Sequence, residues 1–367
     1  MKISPLAAAG LAAGAAAAAG LAAAASLHWD RRVSALLIRG VFSGAGLFQK
    51  KNRRAIPGFK VTRHRELQYL GSDGRPCLDL FLPDTARKPL PVVMWIHGGA
   101  WISGSKEDVA PYLKVLAGYG YALAGVGYSI SPKAVYPTAI KELNAALGFI
   151  REHADRYGLD PNRIVLAGDS AGAQLAAQLA LAISNPEYAR ETGVVPAAAP
   201  SQLRGILLNC GVFDFPSVAR LAGPMGWGLR KALWSYTGSR NWASTTAAEH
   251  MSILQQVDHR FPPTYISSGN GDDLTLTQSI PLADRLEELG VPVVRRFWPK
   301  EYKPALGHEY QFQLHRPEAM ESLHETVAFL ADVTGVSALP GVAPEKVVTV
   351  HEELGEELHR LEDRLAA

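Results

Sequence analysis

The chain has 367 residues, of which 47% are hydrophobic and 20% charged, and its formal net charge is +2. That balance excludes global disorder and is too neutral for a dedicated nucleic-acid binder. The length allows one domain of about 250–300 residues plus extensions. Only two cysteines are present. Cys77 and Cys210 both lie in strand-like runs, which favours two buried free thiols over a disulfide. No Cys/His cluster has metal-ligand spacing, and His351-Glu352 lacks a second histidine four residues on.

Residues 5–26 contain only Pro, Leu, Ala, Gly and a final Ser, behind Lys2. Their length suits a cleaved signal sequence or a spanning helix, and Ala23-Ala24-Ala25 before Ser26 forms a small-residue cleavage pattern. A soluble Ala-rich tail is the third reading, because only Leu6, Leu11 and Leu21 add strong hydrophobicity. Arg31, Arg32, Arg39, Lys50, Lys51, Arg53 and Arg54 follow, and a basic flank of this kind prefers the cytoplasmic side. The expectation for residues 1–57 is therefore membrane association through an N-terminal helix, or export after cleavage. The apolar run at 33–48 reads as a short interfacial helix or as a helix packed on the domain.

A single globular domain is expected over 58–334. Residues 59–83 read as a hairpin around a turn at Gly71-Ser72-Asp73-Gly74, with an exposed edge strand first. Val92-Val93-Met94-Trp95-Ile96 is a continuous apolar run of buried-strand type, ending in His97-Gly98-Gly99-Ala100-Trp101. A helix at 108–118, a strand at 121–128 and a helix from Pro137 to about Tyr157 follow. Asp160-Pro161-Asn162-Arg163 then turns into the strand Arg163 to Ala167. Strands alternating with helices predict a parallel sheet covered on both faces.

Gly168-Asp169-Ser170-Ala171-Gly172 comes next, with a strongly helix-forming run behind it. The five-residue pattern recurs by chance in Gly-rich chains, so its meaning comes from the strand before and the helix after. Between those two, a G-x-S-x-G turn exposes the serine Oγ at a helix N-terminus, where N–H groups and the helix dipole favour negative charge. Residues 185–202 read as a loop, 203–210 as a buried strand, and 214–252 as an aromatic-rich insertion, either a cap over a pocket or helices packed on the sheet edge. A strand ending at Gly269 leads to Asp272, and a histidine loop after the last strand holds His308. A closing helix begins at Pro317, and 335–367 reads as a linker with an acidic amphipathic helix.

The order Ser170, Asp272, His308 places a nucleophile, an acid and a base each just past a predicted strand. Asp273 competes with Asp272 for the acid role; successive side chains point apart, so one alone can serve, and Asp272 is favoured. Backbone N–H groups of Gly98, Gly99 and Ala171 are the expected oxyanion donors.

These motifs together resemble the α/β-hydrolase superfamily, specifically its esterase/lipase branch related to hormone-sensitive lipase and to BD-FAE-type carboxylesterases. The resemblance covers roughly residues 60–333. It implies an α/β-hydrolase fold with a mostly parallel sheet, helices on both faces and a small cap insertion. It also implies hydrolysis of a small-molecule carboxylic ester through an acyl-enzyme, with no cofactor. Three departures stand out: Ala100 where a third glycine is common, Ser129 where arginine is common, and Asp273 where proline often follows the acid. An acyltransferase or peptidase using the same triad, or a membrane-tethered binding protein without chemistry, are the competing readings. Oligomeric state is not legible in the sequence.

Overall fold

A strand buried on both faces is built mostly from apolar residues, and the polar ones it holds must find hydrogen-bond partners, as Thr264 and Ser268 of the sheet centre do. Every residue of β3 (Leu90–Ile96), β4 (Ala122–Val126) and β7 (Thr264–Ser268) is buried, as is β5 (Leu159–Asp169) from Ile164 onward. With β1 (Val61–Gln68), β2 (Cys77–Pro83), β6 (Leu203–Asn209) and β8 (Val293–Phe297) they form one eight-stranded sheet, ordered β1-β2-β4-β3-β5-β6-β7-β8. The β1–β2 and β2–β4 pairs are antiparallel and all others parallel. The computed structural model describes residues 60–71, 76–84 and 89–337. The signal or anchor expected at 5–26, the helix at 33–48 and the C-terminal helix at 345–367 lie outside the described residues. Among the described residues, no helix is long and apolar enough to cross a membrane.

Successive residues of a strand face opposite sides, and the core divides accordingly. Val92, Met94 and Ile96 of β3 join one apolar cluster with Leu143 and Leu147 of the helix Thr138–Glu152 and Leu175 and Leu179 of the helix Ala171–Ser184. Val93 and Trp95 join the other, with Leu113 and Leu116 of the helix Lys106–Gly118 and Leu323 and Leu330 of the helix Pro317–Thr334. Each cluster seals one face of the same sheet. Cys77 and Cys210 are buried free thiols.

Several elements differ from the sequence expectation. Asp160-Pro161-Asn162-Arg163 belongs to β5 rather than to a turn. Leu159 and Asp160 already pair with Leu90 and Pro91, and the register then jumps so that Val92 meets Ile164. The intervening residues are absorbed as a bulge. The stretch 185–202 is not all loop. Asn185 Oδ1 accepts the Tyr188 N–H, Pro186 takes the first helical position and Gly193 closes the helix Pro186–Thr192 at φ 66°. The helix expected to reach Tyr157 breaks at His153, whose Nδ1–H donates to the Phe149 carbonyl and whose ring stacks on Phe149. In the edge strand β1 the register slips between His64 and Leu67, with Glu66 at φ 54°.

The aromatic stretch 214–252 folds as the helices Phe215–Arg220, Gly223–Thr237 and Thr246–Met251. Trp234, Tyr236 and Trp242 are buried, and Tyr236 stacks on Trp101 at 5.6 Å, so these rings chiefly anchor the insertion to the core. Trp227 differs, at 44% exposed.

A charged cluster ties β1 and β2 to the helix Lys106–Gly118. Asp79, 0% exposed, accepts from Arg63 Nε at 2.8 Å, from the Glu66 N–H at 2.8 Å and pairs with Lys106 Nζ at 3.0 Å. Burial alone raises its pKa, but the Glu66 N–H and the two cations outweigh that and hold it below the ordinary value. Its stabilisation is therefore complete at neutral pH and fades as the pH falls through the depressed folded value. Replacing Asp79 by Ala leaves the Glu66 N–H without its acceptor and Arg63 and Lys106 with only the more exposed Glu107 and Glu66 as partners; we expect a loss of about 2 kcal/mol, read from the urea unfolding midpoint at pH 7.

Candidate active site

The elbow begins where β5 stops. Ser170 sits at φ 52°, ψ −120°, between Asp169, the last residue of the strand, and Ala171, the first of the helix Ala171–Ser184. A side chain in this region is strained by about 1–3 kcal/mol and persists only when its surroundings hold it. Here they do: the Ser170 N–H donates to the Asn209 carbonyl at 2.8 Å, and its own carbonyl accepts from Gln174 N at 3.2 Å. The flanking glycines admit this crowding. A Cβ on Gly172 would overlap the Ile96 carbonyl oxygen, and one on Gly168 would overlap the backbone of Gly172.

The structure brings Ser170, His308 and Asp272 together. Ser170 Oγ lies 2.9 Å from His308 Nε2, and His308 Nδ1 lies 2.8 Å from Asp272 Oδ2. Asp272 also accepts from Leu274 N at 3.0 Å and Ser268 Oγ at 3.3 Å. Its carboxylate is held below the ordinary range: burial raises it, and His308, the Leu274 N–H and Ser268 together outweigh that. Asp273 is exposed and is not brought to His308. The two loops carrying acid and histidine are stitched to each other. Asn270 Oδ1 accepts from Leu306 N at 2.9 Å, and Gly271 N donates to the Leu306 carbonyl at 2.8 Å.

His308 is pulled two ways. Burial lowers its pKa, while Asp272, then Glu309 and Asp169, raise it, and the outcome is about 9. His97, beside the nucleophile turn, goes the other way. Burial pushes it down to about 4, so its ring is neutral; Nδ1–H donates to the Gly98 carbonyl at 2.7 Å, and the ring stacks on Tyr128.

Of the expected oxyanion donors, Gly98 is corrected. Its N–H donates to Asp169 Oδ2 at 2.8 Å, so it is already committed. The reason is tertiary: Asp169 ends β5, Gly98 follows the neighbouring strand β3, and the sequence gives no hint that they meet. Gly99 sits at φ 113° in a turn continued by Ala100 and Trp101 at φ 51° and 59°. Ala171 is the first residue of its helix, where a backbone N–H has no carbonyl four residues back within that helix. Trp101, the last residue of the His97-Gly98-Gly99 motif stretch, is fully buried and donates to Gln174 Oε1 at 3.1 Å. Ser129, at the arginine position of the resemblance, donates to Glu142 through both its N–H and its Oγ.

The chain belongs to the BD-FAE family, whose profile matches residues 78–286. It is 29% identical over 257 residues to Esterase LipC of Mycobacterium tuberculosis, a match covering 66% of this chain and 61% of that protein. It is 28% identical over 219 residues to the Probable carboxylic ester hydrolase LipM of the same organism, covering 59% of this chain and 48% of that protein. The chain thus matches about half to three-fifths of the length of these relatives. Among solved structures, esterase B from Lactobacillus Rhamnosis superposes with a TM-score of 0.73 at 24% identity, over 83% of this chain and 96% of that one. A bacterial heroin esterase superposes with a TM-score of 0.61 at 24% identity, over 81% and 90%. The fold is that of the α/β-hydrolases.

Because the Gly172 position has no room for a methyl group, Gly172→Ala is expected to force β3 and the elbow helix apart. A melting curve should show a loss of about 3 kcal/mol or more, against a few tenths for Gly193→Asn at a left-handed position with open space around it.

Proposed function

We propose that this protein is a serine hydrolase of carboxylic esters. The observation that carries the reading is the continuous chain Ser170 Oγ to His308 Nε2 at 2.9 Å and His308 Nδ1 to Asp272 Oδ2 at 2.8 Å. The names of the relatives, esterase and carboxylic ester hydrolase, support it.

In this mechanism the neutral His308 takes the proton of Ser170 as Oγ attacks the acyl carbon. Asp272 keeps Nδ1 protonated and stabilises the imidazolium that forms. The oxygen that gains charge faces the N–H groups of Gly99 and Ala171, each worth about 3 kcal/mol to the transition state. His308 then protonates the departing alcohol, and a water, activated by the same imidazole, releases the acid. No step requires a cofactor. The proposed domain limits remain 58–334, with the 214–252 insertion as a cap.

The purified chain should hydrolyse p-nitrophenyl acetate and butyrate, and Ser170→Ala should reduce turnover by about 10³-fold or more, with loss of fluorophosphonate labelling. Turnover undiminished in the variant would remove Ser170 from the mechanism. The pH dependence has a definite sign. His308 must be neutral to act, and its pKa is raised to about 9, so kcat/KM should climb between pH 7 and pH 9 and level off above. A profile already flat from pH 6 would contradict that environment.

A further inference from the structure

Asp169 is the residue before the nucleophile, only 3% exposed, and the proposed chemistry leaves it without a role. Both of its oxygens are held by N–H donors. Oδ1 accepts from the Trp95 indole Nε1 at 2.8 Å, and Oδ2 accepts from Gly98 N at 2.8 Å. A second carboxyl stands against it. A Cβ on Gly98 would lie 2.5 Å from Asp169 Oδ2 and 3.1 Å from Glu309 Oε1, so the two carboxyl oxygens converge on one glycine. Two carboxylates drawn this close, one of them enclosed, oppose each other's ionisation, and a single proton held between them relieves the repulsion. Glu309 is also 3.9 Å, through Oε1, from His308 Nε2, the nitrogen that faces Ser170. It reaches that place because its backbone takes a left-handed turn, φ 60°, directly after His308.

We propose that Asp169 and Glu309 share a single proton and together form a positioning pair beside the nucleophile. Asp169 is the neutral member, fixing the Gly98–Gly99 turn, and Glu309 carries the one remaining charge next to His308 Nε2. This rests on the ester-hydrolase reading of Ser170 and His308 and adds to it the residues that set the pH at which that site works.

The assignment of the proton follows from surroundings. Asp169 is fully enclosed, and burial, then the Glu309 charge, push its pKa well above the ordinary value despite the Trp95 and Gly98 donors. The Glu309 side chain is 24% exposed, so water still reaches it. The groups facing this pair from the surrounding elements are few. His308 and Asp272 lie across the nucleophile, and Cys210 lies beneath them. Tyr128 and His97 lie on the side of β3 and β4. His97 is neutral, and the Tyr128 and Cys210 pKa values are pushed up, so those three carry no charge at neutral pH. The charges acting on the His308 imidazolium are therefore those of Asp272 and of the pair.

The pair acts on the reaction in two ways. When Ser170 attacks, Nε2 gains a proton and the ring becomes cationic 3.9 Å from Glu309 Oε1, which stabilises that state without touching the substrate. The Asp169 carboxyl, by accepting the Gly98 N–H, sets the turn from which the Gly99 N–H is presented. Asn in place of Asp169 cannot serve equally, because its NH2 group would oppose either the Trp95 or the Gly98 N–H.

The experiment is a kcat/KM profile for p-nitrophenyl butyrate from pH 5 to pH 10 with wild type, Glu309→Gln and Ser170→Ala, and infrared spectra of wild type and Asp169→Asn at pH 7. A unit charge at 3.9 Å is worth close to one pK unit even at the dielectric of water. Glu309→Gln should therefore move the acid limb down by about one unit while lowering the plateau several-fold. Wild type should show the carbonyl band of a buried protonated carboxyl at pH 7, and Asp169→Asn should lose it. An acid limb that stays in place in Glu309→Gln, with turnover still dependent on Ser170, overturns the pair and leaves the hydrolase reading intact. Turnover independent of Ser170 overturns the hydrolase reading instead. The infrared band does not depend on turnover, and its absence from wild type overturns the shared proton by itself.

Discussion

Everything at the candidate site depends on one junction, where a buried strand passes into a helix through a single strained residue. Ser170 cannot relax toward ordinary backbone angles without detaching its N–H from Asn209 or lifting the helix Ala171–Ser184 from β3. The core supplies the restraint. Leu175 and Leu179 of that helix are fully buried against the same face as Val92, Met94 and Ile96. At about 1.5–3 kcal/mol for each buried aliphatic side chain, this packing outweighs the strain of one residue several times over. The glycines at 168 and 172 are consequences of how closely the helix is drawn in.

The parallel sheet does the remaining positioning. Parallel strands all end at the same edge, so residues far apart in the chain arrive together without long reach. Gly99 follows β3, Ser170 follows β5, Asp272 follows β7 and His308 follows β8. The acid and histidine loops are then fixed to each other through Asn270 and the Leu306 backbone. A further contact holds the insertion in register with the acid loop. Gln278 Oε1 accepts the N–H groups of both Phe213 and Asp214 at 2.7 Å, and its Nε2 donates to Ser217 Oγ at 2.6 Å.

The parts that were legible in the sequence are those encoded locally. The apolar runs of β3, β5 and β6 announce buried strands, the G-x-S-x-G pattern announces the turn, and the chain order of serine, acid and histidine follows from them. Alternation says only that one of Asp272 and Asp273 can serve, and the structure places the favoured Asp272 buried against His308 and Asp273 outside. What was missed depends on contacts across the sheet. Nothing in His97-Gly98-Gly99 says that Asp169 takes the Gly98 N–H, and nothing near His308 says that Glu309 turns back toward Nε2. The bulge in β5 and the helix Pro186–Thr192 are a different kind of miss. Their signals, Asp160-Pro161 and Asn185-Pro186 with Gly193, are local, but the same residues fit a turn and a loop equally well.

Three carboxyl groups surround one imidazole, and their environments separate them. Asp272 is as deeply buried as many protonated acids, yet it accepts from Leu274 N, Ser268 Oγ and the ring Nδ1, and those donors keep it ionised. Asp169 has good donors too, but it must share its space with another carboxyl. A site that has to accept a developing oxyanion cannot hold three full negative charges at such range. Protonating the most enclosed of the three keeps all the hydrogen bonds that shape the turn and removes one of the charges that would oppose the transition state. The difference between these acids lies in what stands next to each of them, which is why residue type alone does not assign their roles.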